Sequence, residues 1–329
     1  MRSLREPPSL RERVAGGIVG LVVGDALGLP AQFRGRDELR RNPIKGMVRS
    51  EYFGTPPGTW SDDSSLALAT VDAIIREGLD LNAIAEAFVD WLERGEYTPF
   101  GEAFDIGSTV SSAILRLISG EPPTSSGLWR ASNGSLMRIL PIPLYTHCLP
   151  PEDVVEWAFK ASAITHSHPL ALLSCGYYSL LIKAVMEGRD KREALETASK
   201  QLVSIIKSRH PNLIKHLEPG GELGRVITLE ILNAEEGEVQ STGYVVHTLE
   251  ASIWAFHRTN TFREALLLAV NLGDDADTVG AVCGGLAGTY YGIKAIPSEW
   301  VNSLRRREYV LSLAEGFAEA VTNHCGVRW

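Results

Sequence analysis

The sequence predicts an all-α protein organised as a single domain. Three observations carry this. Apolar residues recur at helical spacing along most of the chain, no run of β-branched residues alternates cleanly with polar ones, and no fixed-period repeat or low-complexity linker divides it. With 329 residues, 44% hydrophobic and 22% charged, the chain has an ordinary globular balance and enough length for one large core.

Residues 1–10 read as an N-terminal tail and 11–329 as the domain. The helical segments predicted are, in order, Arg11–Leu29, Asp62–Glu77, Asn82–Arg94, Thr109–Ile118, Glu152–Ile164, Pro169–Glu187, Lys191–Arg209, Glu222–Asn233, Tyr244–His257, Phe262–Asn271, Asp275–Tyr291 and Arg305–Asn323. Their ends carry the expected signals: Pro151 with Glu152 and Asp153 suits a first turn, Gly188 a C-terminal stop, and Thr261 with Glu264 a capping box. Phe262, Leu266, Ala269 and Val270 share one face, which should be buried. Three irregular stretches (Asn42–Trp60, Gly95–Gly107 and Gly120–Asn133) exceed ordinary helix connections, and loops of that size are often functional.

Two segments carry glycine at every fourth residue: positions 16, 20, 24 and 28, then 280, 284, 288 and 292. Each helix-interior glycine costs about 0.5–1 kcal/mol relative to alanine. Close approach of another backbone or of a ligand offsets that cost, and a tightly packed central helix pair is the simpler of the two.

Charge and cysteine use narrow the function. A net charge of −8 and a pI near 5.6 disfavour a phosphate-backbone binder, so nucleic acid is not an expected partner. Cys148, Cys175, Cys283 and Cys325 form no CxxC pair, which argues against a disulfide framework or zinc ribbon and fits a reducing compartment. The apolar stretch Pro169–Ile182 falls short of the roughly 20 residues a spanning helix needs. Arginines precede the apolar run Gly16–Gly24 as in a signal peptide, but Glu6, Glu12 and Asp25 interrupt it. A soluble, cytoplasmic protein with no membrane partner is expected.

Two acidic knots suggest chemistry. Ser61-Asp62-Asp63-Ser64 opens one apolar helix and Asp274-Asp275-Ala276-Asp277-Thr278 opens the second glycine-striped one. Asp and Ser at a helix start are ordinary caps. Capping needs only one or two such groups, however, and three aspartates within four residues repel one another. A hard divalent cation relieves that repulsion: Mg²⁺ and Mn²⁺ take oxygen ligands with waters completing the shell. Asp62, Asp63, Asp275 and Asp277 suffice to bridge two ions, an arrangement that orients a substrate and makes a nucleophile of bound water.

Other segments are weaker alone. Ser132-Asn133-Gly134-Ser135 is a small polar turn of the sort whose N–H groups cradle phosphates, or a plain helix start. Thr165-His166-Ser167-His168 reads better as a capping or hydrogen-bonding device than as a metal site. Asp105-Ile106-Gly107-Ser108 is open to a cap reading, and Trp129 to adenine stacking or a place in the core.

Taken in order, these segments resemble the ADP-ribosylglycohydrolase family. The match runs from Gly17 to about Gly292 and includes Gly24-Asp25-Ala26-Leu27-Gly28, Trp60–Ser64, Asp105–Thr109, Ser132–Arg138, Thr165–Pro169 and Gly273–Gly280. The resemblance implies an orthogonal multi-helix bundle with two Mg²⁺ or Mn²⁺ ions. It implies Ser61, Asp62 and Asp63 as ligands from one side and Asp275, Asp277 and Thr278 from the other, with Asp274 outside the set and Asp25 a structural acid behind it. Ser132, Asn133, Gly134 and Ser135 would cradle a pyrophosphate, His166 would lie near a ribose, and Asp105 with Gly107 would flank the substrate.

The implied activity is hydrolysis of the glycosidic bond between ADP-ribose and an acceptor: arginine, serine, a small conjugate or a nucleic-acid end. Asp62, Asp63 or Asp105 would take the proton. Gln32 stands where many members have Glu and cannot serve as a base, so a non-catalytic ADP-ribose binding module is the alternative.

Overall fold

Helix α1 (Leu10–Gly28) starts where Ser9 and Glu12 exchange hydrogen bonds in a capping box. In this computed structural model, which describes residues 6–326, there follow α2 (Arg36–Arg41), α3 (Asp62–Glu77), α4 (Leu81–Arg94), α5 (Ser108–Ile118), α6 (Pro141–Thr146), α7 (Pro151–Ala163) and α8 (Pro169–Met186). The remainder are α9 (Lys191–Arg209), α10 (Gly224–Ile227), α11 (Val245–Arg258), α12 (Phe262–Val270), α13 (Ala276–Tyr291), α14 (Ser298–Ser303) and α15 (Arg307–Gly326). Among the described residues, β structure is limited to isolated bridges such as Ser132–Tyr244.

The glycine stripes explain the centre of the fold. α1 and α13 run antiparallel in backbone contact: a Cβ added to Gly24 would stand 2.0 Å from the Gly280 oxygen, one on Gly20 2.3 Å from that of Gly284, and one on Gly16 2.4 Å from that of Gly288. At the far end Gly28 meets Asp277, whose Cα would lie 2.5 Å from such a Cβ. The stripe therefore serves helix packing, not ligand approach. Around this pair lie α3 and α15 on the α1 side and α8, α11 and α12 on the α13 side, with α7, α8 and α9 as a second packed group. Phe262, Leu266, Ala269 and Val270 of α12 are buried as their spacing requires.

The structure corrects several expectations. Glu222–Asn233 is not one helix: α10 stops at Ile227, Leu229 is left-handed (φ 62°) and Glu230–Asn233 is 3₁₀. Val226 and Ile231 are both buried; five residues apart, they would face different ways on a straight helix, and the reversal at Leu229 turns both inward. α2, α6 and α14 were not expected, because six residues hold too little periodicity to read.

There is no disulfide framework among the described residues, but one pair is bonded: Cys148 joins Cys325 across 177 residues, a separation at which no local spacing could signal it. That removes the cysteine argument for a reducing compartment. Finally, residues 10–31 and 169–186 are each apolar and long enough to cross a membrane, but both are core helices buried inside the fold.

Candidate active site

Three helix N-termini and one turn meet at a cavity of about 550 Å³. α3 brings Asp62 and Asp63, the start of α13 brings Asp275 and Thr278, the loop before α5 brings Asp105 and Gly107, and the 132–137 turn brings Ser132, Asn133, Gly134 and Met137. His166 and Gln32 complete the lining.

The caps of these helices show what the aspartates are not doing. At the start of α3 the backbone N–H groups of Ser61 and Ser64 donate to the buried carboxylate of Asp25, reaching across from α1 at 2.9–3.0 Å. Both serine hydroxyls donate to it as well. Asp25 thus caps α3 in place of a local side chain, and Asp62 and Asp63 are free of that duty. At α13 the Asp275 side chain makes no cap bond to the helix.

What the freed carboxylates do is crowd. Oxygens of Asp25, Asp63 and Asp277 lie within 4.8 Å of one another. Oδ1 of Asp63 and Oδ2 of Asp277 are buried without a hydrogen-bond partner. Burial, then the neighbouring acids, holds the Asp62, Asp63 and Asp277 carboxyls well above the usual carboxylate range. Asp25 is raised to about 6 by burial, which its serine donors only partly offset. Asp105 and Asp277 stand close enough for one to hydrogen-bond the other, as do Asp275 and Asp277.

Buried acids without cationic partners are held by protons or by metal ions, and an all-oxygen donor set suits a hard divalent ion. The two orphaned oxygens fit that use. Asp25 does not, because its oxygens are occupied by serine donors.

A sign follows for stability. In the unfolded chain these carboxyls titrate near their ordinary value. The native state therefore holds extra protons at mildly acid pH, and the stability this provides is lost as pH rises through the raised values. With chelator present, the melting temperature is expected to fall between about pH 5 and about pH 8. A melting temperature that rises over this interval would contradict the burial of these acids.

The other expected residues divide into those facing the cavity and those beneath it. Ser61 is fully buried between Asp25 and Asp63, its hydroxyl 3.0 and 3.2 Å from their oxygens. The Thr278 hydroxyl is within bonding reach of Asp63 and Asp275. Asn133 donates both amide hydrogens inward, to Asp275 Oδ2 at 2.6 Å and Thr248 Oγ1 at 2.9 Å, so its amide nitrogen fixes Asp275. Gln32 donates to Asp105 at 2.9 Å, and Asp105 sits at φ 55° rather than capping α5.

Ser135 is a correction. It is fully buried, accepts from Ser162 at 2.8 Å and does not line the cavity, because the turn closes into 3₁₀ geometry and carries it inward. His168 caps α8, as expected of the histidine pair. Trp129 is exposed against His168, neither in the core nor on the cavity wall.

Sequence reading missed the wall formed by Thr242 and Gly243. Ser241 O accepts from Asp275 N at 3.0 Å, and a Cβ on Gly243 would lie 3.3 Å from Asp275 Oδ2. The Ser-Thr-Gly cluster before α11 was the available signal. Phe33 was missed too; its N–H donates to Asp274 O, and Asp274 N donates to Arg34 O, tying the two loops together beside the cavity.

Comparison with known proteins places the chain in a family. The sequence profile of the ADP-ribosylglycohydrolase family matches residues 6–326. This chain belongs to the ADP-ribosylglycohydrolase family. Similar relatives include ADP-ribosylarginine hydrolase Tri1 of Serratia proteamaculans, 31% identical over 95% of this chain and 82% of that protein. Another is Tri1 of Pseudomonas putida, 33% identical over 94% and 78% respectively. ADP-ribosyl-[dinitrogen reductase] glycohydrolase of Rhodospirillum rubrum is 31% identical over 90% and 92%. A solved ADP-ribosylglycohydrolase-related protein complex superposes with a TM-score of 0.78 at 31% identity, covering 95% of this chain and 99% of the other. The all-α fold of this family is thus the fold observed, and family and relatives together support an ADP-ribosylglycohydrolase-type hydrolase.

Proposed function

We propose that the protein hydrolyses the N-glycosidic bond between ADP-ribose and an arginine side chain, with two Mg²⁺ or Mn²⁺ ions in the acidic cluster. The observation that carries this reading is a pair of buried, unpartnered carboxylate oxygens on two helix N-termini that meet there: one on Asp63, which lines the cavity, and one on Asp277, which does not line it but has an oxygen within 4.8 Å of one on Asp63. Asp62, Asp63, Asp275 and Asp277 would hold the ions, with the Ser61 and Thr278 hydroxyls beside them. When bound, such ions fix ribose hydroxyls and lower the pKa of a coordinated water.

The chain's own residues do the rest. Ser132 and the backbone at Gly134 bind the pyrophosphate, and Gly134 has no room for a side chain because a Cβ would stand 2.9 Å from the His166 ring. Asp62 or Asp105, both lining the cavity, takes the proton of the attacking water. The bond from the anomeric carbon to the guanidine nitrogen breaks, the water oxygen takes its place, and the leaving guanidine gains a proton. Carboxylates around the anomeric carbon stabilise its developing positive charge. Arginine is chosen over serine or a small conjugate because the two Tri1 relatives are named ADP-ribosylarginine hydrolases.

The test incubates the protein with ADP-ribosylated arginine and serine peptides, with Mn²⁺ or Mg²⁺ and with EDTA. Release of free ADP-ribose from the arginine peptide, abolished by EDTA, is expected. Tight binding without release would instead make the protein a binding module, the outcome that Gln32 in place of Glu raises. Release that persists in EDTA would remove the ions.

A further inference from the structure

Arg138 is buried at 1% exposure with no carboxylate against it among the described residues. Its Nη2 donates to the Ala161 carbonyl at 3.1 Å and to Thr165 Oγ1 at 2.7 Å, its guanidinium lies 4.6 Å from the centre of the Phe88 ring, and its Nε bonds nothing. A buried guanidinium without a counter-charge is costly, and an apolar side chain could fill the same volume. Its one side-chain hydrogen-bond partner leads to the cavity. Thr165 Oγ1 is 2.8 Å from His166 Nδ1, and His166 Nε2 is 2.8 Å from Ser132 Oγ, which lines the cavity.

The donors in this chain can run only one way. Arginine has no acceptor, so Thr165 Oγ1 accepts from it. Thr165 is fully buried, and its own hydroxyl hydrogen has one acceptor among its partners, His166 Nδ1. His166 Nδ1 is then unprotonated, the neutral ring carries its hydrogen on Nε2, and Ser132 Oγ accepts it. The Ser132 hydroxyl hydrogen is left with no acceptor in this chain and the cavity in front of it.

We propose that Arg138 is a positioning residue that, through Thr165 and His166, turns the Ser132 hydroxyl into a donor toward a pyrophosphate oxygen of the bound substrate. The naming of that oxygen rests on the ADP-ribosyl reading of the cavity. The buried positive charge behind the turn acts in the same direction, since it favours an anion there.

Two measurements test this without turnover. In ¹⁵N-labelled protein, with His166 assigned by its loss in His166→Gln, the imidazole nitrogens report the tautomer directly. The wild type and Thr165→Ser should show Nε2 protonated and Nδ1 bare, while Thr165→Val, which removes the donor to Nδ1, should show a tautomer mixture. If Arg138→Met folds, it should show the same loss, because the Ala161 carbonyl, released from the guanidinium, then offers the Thr165 hydroxyl hydrogen a second acceptor and leaves its oxygen to accept from Nδ1. Calorimetric titration with ADP-ribose should give a Kd about tenfold weaker for Thr165→Val, with Thr165→Ser within about twofold of wild type.

A wild-type ring protonated on Nδ1, or on both nitrogens, overturns the proposal. So does a Thr165→Val variant that binds ADP-ribose as wild type does. If the wild type shows the expected tautomer yet does not bind ADP-ribose, the hydrogen-bond chain stands, and the ADP-ribosyl reading falls together with the oxygen named above.

Discussion

Asp277→Asn is expected to lower ADP-ribosyl hydrolysis by at least about 10²-fold while raising the melting temperature of the metal-free protein. Asp277 is fully buried; Oδ1 accepts from the Thr278 N–H at 2.9 Å and Oδ2 has no partner. Its charged form is opposed by burial first, then by Asp63, Asp275, Asp105 and Asp25. Asparagine keeps the shape, removes the charge and presents an N–H₂ to those acids, so repulsion becomes hydrogen bonding. The same change removes an anionic oxygen from the proposed ion site. The stabilisation that Mn²⁺ adds to the wild type should therefore shrink in the variant. Thermal melts with and without Mn²⁺, alongside kcat/KM, separate the two effects. Wild-type turnover in chelator-free buffer would take Asp277 out of the ligand set, and a lower metal-free melting temperature would show that its charge is not under strain.

Gly24→Val is expected to destabilise the fold by about 3 kcal/mol or more, the upper end of what overpacking costs. The obstacle is backbone: the new Cβ would stand 2.0 Å from the Gly280 oxygen and 2.5 Å from its carbonyl carbon, so no rotamer change relieves it. α1 and α13 would have to part. This contact also sets the distance between Asp25, next in sequence on α1, and the α13 start that bears Asp277. Activity should therefore fall even in whatever fraction remains folded. Gly35→Ala is the control: nothing lies within 4 Å of its added Cβ and its φ is −72°, so a change within about 0.5 kcal/mol is expected. Urea unfolding of the three proteins decides it. A Gly24→Val protein as stable as wild type would refute close backbone packing as the reason for the stripe.

Part of the site is legible in the residues themselves. The two acidic knots stand out because neighbouring like charges are unusual unless something offsets them, and that is a property of adjacent residues. Yet capping and metal binding use the same residue types at the same helix position, so local spacing cannot separate them. The separation comes from Asp25, 36 residues before Ser61, whose carboxylate takes over the capping of α3. In the same way, Ser135 looks equivalent to Ser132 within one turn. Only the 3₁₀ geometry that buries one and exposes the other to the cavity distinguishes them. Arg138 and Thr165 lie inside recognised segments but have no evident role until their hydrogen bonds are followed to Ser132.

The sequence alone determined the helical class, most of the long helices, the glycine stripes and the identity of the acidic groups. All of these depend on residues within a turn or two of one another, where periodicity and local charge act directly. Tertiary structure alone decided which helices the stripes pair, which carboxylate caps and which is left unpartnered, the bond between Cys148 and Cys325, and the break at Leu229. Those outcomes depend on groups brought together from distant parts of the chain, whose burial and pairing have no energy until the core closes around them.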